Sequence, residues 1–435
     1  MLLDTIALHK VDPAAHLSQT ASLFPFLRRF FDFNEIGLVR TDFVMRTSSE
    51  SLQVIGVMST QSAVGFLRNL DKHISRLRAL YLRLSDEPDI PSMFNALLQR
   101  AESMENITMS LDFDVSPACW NIVAQLPHLS SLSLHLCTAS SPTFARFSSL
   151  VTLMLTVENI ASLVNLLQMS QFPLLKKLSC YHDSDITPTA MEVTALVTAI
   201  SSSCSPSSLV SLDYSLTFDD FMEFETPVGP AILSSDVFLP LLRFPLIREF
   251  RIDSSWSLDL DDAFIHRLAK AWPKLEALNF GTNIRWANTH RITLRALDYL
   301  VKYCVHLENL EIVFDTSESD VHGVTESDDN PEFCRAVHCS PTGVENTRLT
   351  LLSIGPSRIN PDLQSCARVA AHLSRLFPSL KHIRSYHNDT NFVEAGRYFP
   401  PAVKGWVVVA RLLPLLSNTS KFEDRTYSLD FSAPG

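Results

Sequence analysis

The stretch "SCYHDSD" carries the residue types of a hydrolytic site, since Ser179, His182 and Asp183 could serve as nucleophile, base and acid. Acyl transfer by such a set requires that the three side chains meet in space, and adjacency in the sequence is weak evidence that they do. The same residues also suit a polar turn that follows a strand and caps the next helix at Asp185 or Thr187. We favour the turn, and we predict a protein without enzymatic activity.

A zinc site is the second chemistry that the sequence offers. Cys334, His338 and Cys339 cluster after a segment that contains His322, and all four are of types that bind zinc. Their spacing matches none of the paired-cysteine patterns that mark structural zinc, so we predict no metal site and no cofactor. The eight cysteines are scattered through a long chain, which is typical of reduced thiols in a core.

The composition and charge of the chain limit the partners that it can have. Its 435 residues are 46% hydrophobic and 19% charged, which predicts a folded protein with a large core. The formal net charge of −11 opposes binding to phosphate backbones, and the sequence contains no glycine-rich phosphate-binding string. It also shows neither a secretory signal nor a run of roughly 20 apolar residues. These features predict a cytoplasmic or nuclear protein that binds neither nucleic acid nor membranes.

A short apolar frame recurs along the chain. In "WPKLEALNF", Leu275, Leu278 and Phe280 occupy the frame apolar-x-x-apolar-x-apolar. Adjacent copies start 21 to 42 residues apart. Leucine-rich repeats have periods of roughly 20–29 residues, so several copies carry insertions. The first positions of the copies are Leu77, Met104, Leu129, Leu150, Leu175, Leu209, Ile247, Leu275, Leu307, Leu349 and Leu380.

Between these frames, apolar residues recur three and four places apart, as they do in amphipathic helices. In "LDDAFIHRLAKAW", Phe264, Leu268 and Trp272 share one helix face. Asp261 or Asp262 can cap the start of that helix. The segment "TLRALDYLVKYC" follows the same pattern. Helices of this kind therefore alternate with the strands that the frames predict.

Another helix is predicted in "DITPTAMEVTALVTAISSSC", with Thr187 and Pro188 at its entrance and the proline in its first turn. A strand and a helix of these lengths cannot bury their apolar stripes alone, whereas stacked units join the stripes into one core. The sequence therefore predicts an α/β leucine-rich-repeat solenoid of the ribonuclease-inhibitor type, with a curved parallel sheet inside and helices outside. An ordinary doubly wound sheet, the alternative, does not require the frame to recur.

The predicted solenoid covers residues 49–395 and is flanked by two end segments. Residues 1–48 are predicted to form an N-terminal helical cap or an F-box remnant, because "SLFPFLRRFF" places Leu27 and Phe31 on one side of a helix. Residues 396–435 are predicted to cap the other end.

The insertion at residues 315–332, "DTSESDVHGVTESDDNPE", is acidic and contains no lysine or arginine. It lies in the longest separation between two frames, from Leu307 to Leu349, and is predicted to be a solvated loop between repeats. Attraction of a basic partner stays open as a second role for this segment.

The units "LDDAFIHRLAKAWPKLEALNF" and "TLRALDYLVKYCVHLENLEI" resemble the leucine-rich repeats of F-box proteins, in which a helix ends in a Cys-Pro or Trp-Pro step before "xLxxLxL". The passage "FVMRTSSESLQVIGVMSTQSAVGFLRNLDKHISRLRALYLRL", from Phe43 to Leu84, resembles the one that follows the F-box in mushroom-type fungal F-box-like proteins. This resemblance implies a receptor that selects a target for ubiquitin transfer and contacts a cullin-type ligase adaptor. The F-box pattern itself is not found within residues 1–48, so a free-standing interaction scaffold stays open as the alternative.

When the apolar positions of a frame point inward, the residues between them point to the concave side of the sheet. Tyrosine and arginine, which are enriched at interface hot spots, recur at these positions. We therefore predict that a protein target binds on the concave side. The predicted partner-binding residues are Tyr81, Arg83, His135, Lys177, Tyr181, Asp213, Glu249, Arg251, Asp253, Asn279, Glu311, His382, Arg384 and Tyr386.

Overall fold

The chain forms two compact units in a computed structural model, and each has strands and helices that alternate along the chain. Unit 1 is Met1–Ile247 and unit 2 is Arg248–Gly435. The residues that the structure describes are 5–7, 27–32, 52–58, 64–84, 89–111, 116–136, 144–184, 188–216, 232–253, 257–281, 291–316, 345–355, 357–385 and 401–417. The α/β class predicted from the sequence is confirmed for both units.

The main-sheet strands of unit 1 pair in parallel, in the order in which they occur along the chain. In chain order they are β1 (Thr5–Ala7), β2 (Arg29–Asp32), β3 (Val54–Met58), β4 (Ala79–Leu84), β5 (Asn106–Leu111), β6 (Ser131–Leu136), β7 (Ala145–Arg146), β8 (Thr152–Val157), β9 (Ser170–Gln171), β10 (Lys177–His182), β11 (Ser211–Leu216) and β12 (Ile232–Ser234). The main sheet has the order β1-β2-β3-β4-β5-β6-β8-β10-β11, and β7 pairs with β9 apart from it.

Helices follow many of these strands and supply the other layer of the core. They are α1 (Val64–Leu70), α2 (Ile90–Leu98), α3 (Pro117–Gln125), α4 (Ile160–Gln168), α5 (Ala190–Ser203) and the 3-10 helices Ile74–Arg76 and Ser235–Arg243. Aromatic rings join neighbouring units of the core, since Trp120 lies 4.9 Å from Phe147, which lies 5.1 Å from Phe172 between ring centroids. The Trp120 indole N–H donates to Ser170 Oγ at 3.0 Å, so its buried polar atom is satisfied.

The frames found in the sequence mark where strands begin. Each of the eleven copies is followed by a strand that starts two residues after its first position, from Leu77 with β4 to Leu380 with the strand at His382. The apolar residues of the first frame, Leu77, Leu80 and Leu82, are all buried. Period-two alternation sends Leu80 and Leu82 of β4 to one face, and Leu77 is buried just before the strand begins.

Unit 2 repeats the same plan with fewer strands. They are β13 (Glu249–Asp253), β14 (Ser257–Asp259), β15 (Ala277–Asn279), β16 (Asn309–Glu311), β17 (Leu351–Gly355) and β18 (His382–Ser385). Its main sheet has the order β13-β15-β16-β17-β18, all paired in parallel. Its helices are α6 (Asp262–Ala271), α7 (Leu294–Tyr303), α8 (Leu363–Leu376) and α9 (Pro401–Ser417).

Two helix predictions in unit 2 are confirmed with their caps. The Asp261 carboxylate accepts a hydrogen bond from the Phe264 N–H at 2.8 Å and starts α6. The Thr293 hydroxyl oxygen accepts from the Arg295 N–H at 3.2 Å and starts α7. The predicted inward face of α6, which includes Phe264 and Leu268, is buried, as is Trp272 after it. At the carboxyl end, the Trp406 indole of α9 donates to the Ser357 carbonyl at 2.8 Å.

The helix predicted near the amino end is wrong over the residues that the structure describes. Residues Arg29–Asp32 form β2, which pairs in parallel with β1 and β3, so neither a helical cap nor a helical F-box remnant includes them. Phe30 is fully buried while Arg29 is exposed, and this alternation is that of a strand. The apolar spacing of "SLFPFLRRFF" fits both periods, and pairing with two neighbours decides between them.

The predicted entrance of α5 is also corrected. The N-cap is Thr189, so Pro188 lies before the cap rather than in the first turn. The Thr189 hydroxyl oxygen accepts from the Glu192 N–H at 3.3 Å, and the Glu192 carboxylate accepts from the Thr189 N–H at 2.8 Å. This reciprocal capping box satisfies two backbone donors at once, which a cap at Asp185 or Thr187 does not provide.

The described cysteines are buried free thiols, as predicted: Cys119, Cys180, Cys204, Cys304 and Cys366. Burial raises the pKa of the Cys119 thiol to about 12, because the thiolate would lose its hydration. The other three cysteines lie outside the described residues.

A half-buried histidine lies beside a carboxylate where α7 meets α8. His372 Nε2 lies 3.5 Å from Asp298 Oδ2, and Arg375 Nη2 lies 3.4 Å from Asp298 Oδ1. Burial lowers the pKa of His372, since its charged form would lose hydration, and the Asp298 charge only partly offsets this effect. Burial likewise raises the pKa of Asp298.

We predict that unit 2 loses stability as the pH falls below 6.5, the ordinary pKa of histidine. The unfolded chain then binds a proton that the folded state resists, so the stability is complete above that pH and declines below it. The raised pKa of Asp298 acts in the opposite direction, because the folded state then binds a proton more readily than the unfolded chain does. The urea midpoint followed from about pH 7.5 to about pH 5.5 should decline less in His372→Gln. The exposed His306→Gln serves as control, and equal declines in both variants would contradict the prediction.

Candidate protein-binding face

On the main-sheet strands whose side chains the structure describes, alternate side chains point away from the buried apolar stripe. On β5, Thr108 and Ser110 are half-buried, while Ile107 and Met109 are fully buried. We use "open face" for the side chains of the main-sheet strands that alternate in this way with the buried ones. Because neighbouring strands are in parallel register, equivalent open-face residues form rows, with a step of about 4.8 Å from strand to strand.

The register of unit 1 places the predicted partner-binding residues in three adjacent rows. One row contains Arg83, Ser110, His135, Thr156, Tyr181 and Ser215. The next contains Tyr81, Thr108, Ser133, Met154, Ser179 and Asp213. Lys177 lies in the third, with Ala79, Asn106, Ser131, Thr152 and Ser211. The six predicted residues of this unit therefore share one surface.

His135 is the polar centre of the first row. Its Nδ1 lies 3.5 Å from Ser110 Oγ on one side, and its Nε2 lies 3.6 Å from Asp183 Oδ2 on the other. The second distance suits an ion pair but is too long for a hydrogen bond. Within the described part of the chain, Nε2 has no hydrogen-bond partner. The Nε2 atom is itself buried from solvent, although 37% of the side chain is exposed.

Tyr181 and Asp213 form a second polar contact on this face. The Tyr181 hydroxyl donates to Asp213 Oδ2 at 3.3 Å, from β10 to the neighbouring strand β11. The bond fixes the direction of a half-buried ring whose remaining surface faces solvent. A tyrosine that is already positioned loses little conformational entropy when a partner packs against it.

An aromatic contact lies at the other end of the open face of unit 1. The Phe31 and Tyr81 rings approach to 5.7 Å between centroids although β3 lies between their strands. The residue of β3 between them is Gly56. A Cβ atom there would overlap Cδ1 of Phe31 and lie 3.0 Å from its Cε1, so the space that glycine leaves is filled by the phenylalanine ring.

Unit 2 has an open face of its own, with more charge. Its register puts Arg251, Asn279, Glu311 and Arg384 in one row, with the buried Ser353 between the last two. Glu249 and His382 lie in the adjacent row. Asp253 is the last residue of β13, and Tyr386 lies outside the described residues.

The hydrolytic interpretation of "SCYHDSD" fails on strand geometry. Ser179 and His182 are three places apart on β10, so their side chains leave opposite faces of the sheet. His182 is buried, its Nε2 lies 3.2 Å from the Glu158 carbonyl, and burial lowers its pKa. Asp183 instead faces His135, in a contact that joins β6 to the end of β10. Of the turn that we favoured, Asp183 and Ser184 follow β10 but His182 is the last residue of the strand, Asp185 and Thr187 lie outside the described residues, and the helix cap is Thr189.

No group of three or more His, Cys, Asp or Glu side chains that could hold a metal occurs among the described residues. The cysteines and histidines considered for zinc, Cys334, His338, Cys339 and His322, lie outside them. None of the helices described here is both long and apolar enough to cross a membrane.

Comparison with known proteins gives no match, either to a family model or to a curated protein. Inferences about the chemistry of the open face therefore depend on its own residues. Four residues of this face were not predicted from the sequence to belong to it, namely Phe31, Gly56, Ser110 and Asp183. In the sequence, the signal for this face is the run of serine and threonine residues between the frame leucines. These residues can be assigned to one surface only when the register of the strands is known.

We predict that Gly56→Ala destabilises unit 1 by about 1–3 kcal/mol, because the new methyl group overlaps the Phe31 ring and forces it to move. The urea-unfolding transition measures this change. Ser133→Ala, in the same row, is the matched control and should cost far less. Adding Phe31→Ala to Gly56→Ala should make the loss less than additive, because the overlap is gone. A stability of Gly56→Ala equal to that of the unmodified protein would contradict the prediction.

Proposed function

We propose that both units consist of leucine-rich repeats and that the chain binds another protein on its open face. Three observations support the proposal: strands begin at the recurring frames, helices lie between strands, and the strands pair in parallel. The single observation that carries it is the unbroken register of six strands in unit 1, which aligns open-face side chains from Arg83 to Ser215.

The open face of unit 1 has the size and chemistry of a peptide-binding surface. Six strands span roughly 24 Å at their usual spacing, which is the length of about seven extended residues. Most side chains in its centre are serine or threonine, which both donate and accept hydrogen bonds without charge. Tyr81, Tyr181 and Arg83 add the residue types that dominate binding energy at interfaces. This combination favours a polar protein segment with few charges.

The most specific role that we propose is that of a substrate receptor, similar to the leucine-rich-repeat F-box proteins that the sequence resembles. In that role the open face selects a target, and other subunits of a cullin-type ligase transfer ubiquitin to it. The alternative is a free-standing interaction scaffold. One observation favours this alternative: residues 29–32, within the segment assigned to a possible F-box remnant, form a strand instead of a helix.

Affinity purification of the tagged chain from its native cells, followed by mass spectrometry, tests both parts of the proposal. The binding variant is Arg83→Glu with Tyr181→Ala, which changes two side chains of the same row. We expect the target protein to be recovered with the unmodified chain and to fall by about tenfold with this variant, as for the loss of hot-spot residues.

The matched control carries Arg68→Glu and Gln168→Ala, both exposed on helices of unit 1. It should retain the target. Equal recovery with both variants would show that the open face of unit 1 does not bind the target. Recovery of a ligase adaptor with every variant supports the receptor role, whereas recovery of a target without any adaptor supports the scaffold.

A further inference from the structure

The exposed charges on the helices that the structure describes in unit 2 are all of one sign. Helices α6 to α9 contain eight basic residues and two acidic ones, Asp262 and Asp298. Both carboxylates are half-buried. The Asp262 carboxylate accepts hydrogen bonds from the Thr293 N–H at 2.8 Å and from the Thr293 hydroxyl at 2.6 Å. Asp298 is 17% exposed and contacts His372 and Arg375. The exposed basic residues are Arg267, Lys270, Lys302, Arg368, Arg375, Lys404 and Arg411.

Unit 1 provides the internal comparison. Its five α-helices carry one basic residue, Arg68, and one acidic residue, Glu192, which is engaged in the capping box of α5. The described α-helices are therefore almost uncharged in unit 1 and basic in unit 2, whereas the 3-10 helices of unit 1 carry Arg76, Asp236 and Arg243. Core packing does not require this difference, because exposed helix positions accept most polar residues with little change in stability.

The basic charge is most concentrated around one ring. Lys270 of α6 and Lys302 of α7 place their Nζ atoms 5.7 Å and 5.3 Å from the centroid of the Tyr303 ring. One turn away, Arg295 lies 5.7 Å from the centroid of Tyr299. We call Lys270, Lys302, Arg295 and Tyr303 the basic helix face. Attraction between each cation and the face of its ring favours these positions of Lys270, Lys302 and Arg295.

The sign and extent of this charge point to one class of partner. The whole chain has a net charge of −11, which repels an extended polyanion such as a duplex or an anionic bilayer. A short acidic peptide instead feels the charges within a Debye length of about 8 Å, where this face is basic. We propose that the basic helix face of unit 2 binds a segment rich in aspartate and glutamate on a partner protein. This inference does not depend on binding at the open face.

Fluorescence anisotropy with the full chain and a labelled peptide tests the proposal. The probe is a peptide of about 16 residues that alternates Asp or Glu with Gly or Ser, long enough to cross two helices that pack about 10 Å apart. The comparison peptide has the same length, but half of its acidic residues are replaced by lysine, so its net charge is zero. We expect binding of the acidic probe only, and a large loss of affinity between about 50 mM and about 300 mM salt, because these charges are exposed.

Three variants locate the site. Lys270→Glu with Lys302→Glu should weaken binding by ~tenfold or more, since two attractions become repulsions. Arg68→Glu with Lys72→Glu, on exposed positions of unit 1, changes the net charge equally and should leave the affinity within about twofold, because those positions are not part of the face. Lys270→Arg with Lys302→Arg keeps the charge and the ring contacts and should retain binding. Thermal unfolding of each variant checks that it folds.

Several results would overturn the inference. The first is the absence of acidic-peptide binding at low salt, and the second is an equal loss in both glutamate variants. A third is tighter binding of phosphatidylserine vesicles or of an oligonucleotide than of the peptide, with the same dependence on Lys270 and Lys302. A fourth is peptide binding that occurs only after residues 317–332 are deleted. That result would mean that the acidic segment of the chain itself occupies the basic helix face.

Discussion

No strand and helix of this protein can bury their apolar residues without neighbours, and the rest of the structure depends on that shared burial. Leu132 of β6 and Leu153 of β8 show the arrangement, since they lie in register and are both fully buried. Aligning the buried residues also aligns the residues between them, because both belong to the same strands. The rows on the open face are thus fixed by the core, and their chemistry can change without changing the fold.

The sequence predicts the strands well because the spacing of leucines within a strand stays the same when other parts of the repeat contain insertions. It predicts the amino end poorly, because "VIGVM" of β3 has no polar residue between its apolar ones and "RFFD" of β2 is too short to show a period. The cap of α5 was within reach, since Thr189 and Glu192 have the spacing of a capping box. The capping box of α5 is thus visible in the sequence alone. The secondary structure of β2 depends instead on pairing with its neighbouring strands.

For the candidate site, the sequence predicts which side of the sheet the side chains point to but does not predict their contacts. Alternation identified Tyr81, His135 and Tyr181 as side chains that leave the core, and that much follows from strand geometry. Their partners did not follow, since His135 and Asp183 are 48 residues apart and meet only because β6, β8 and β10 pair in one register. Total charge was an even weaker guide. A value of −11 for the chain conceals helices whose exposed charges are all basic, because screening makes electrostatics local.

The buried cysteines give each unit its own reporter of opening. Cys119, Cys180 and Cys204 lie in the core of unit 1, and Cys304 and Cys366 lie in that of unit 2. A thiol without access to water reacts with an alkylating reagent only when the structure around it opens, so its labelling rate measures the free energy of that opening. The chain can therefore reveal through its own cysteines, without an engineered label, whether its two units open together or one at a time.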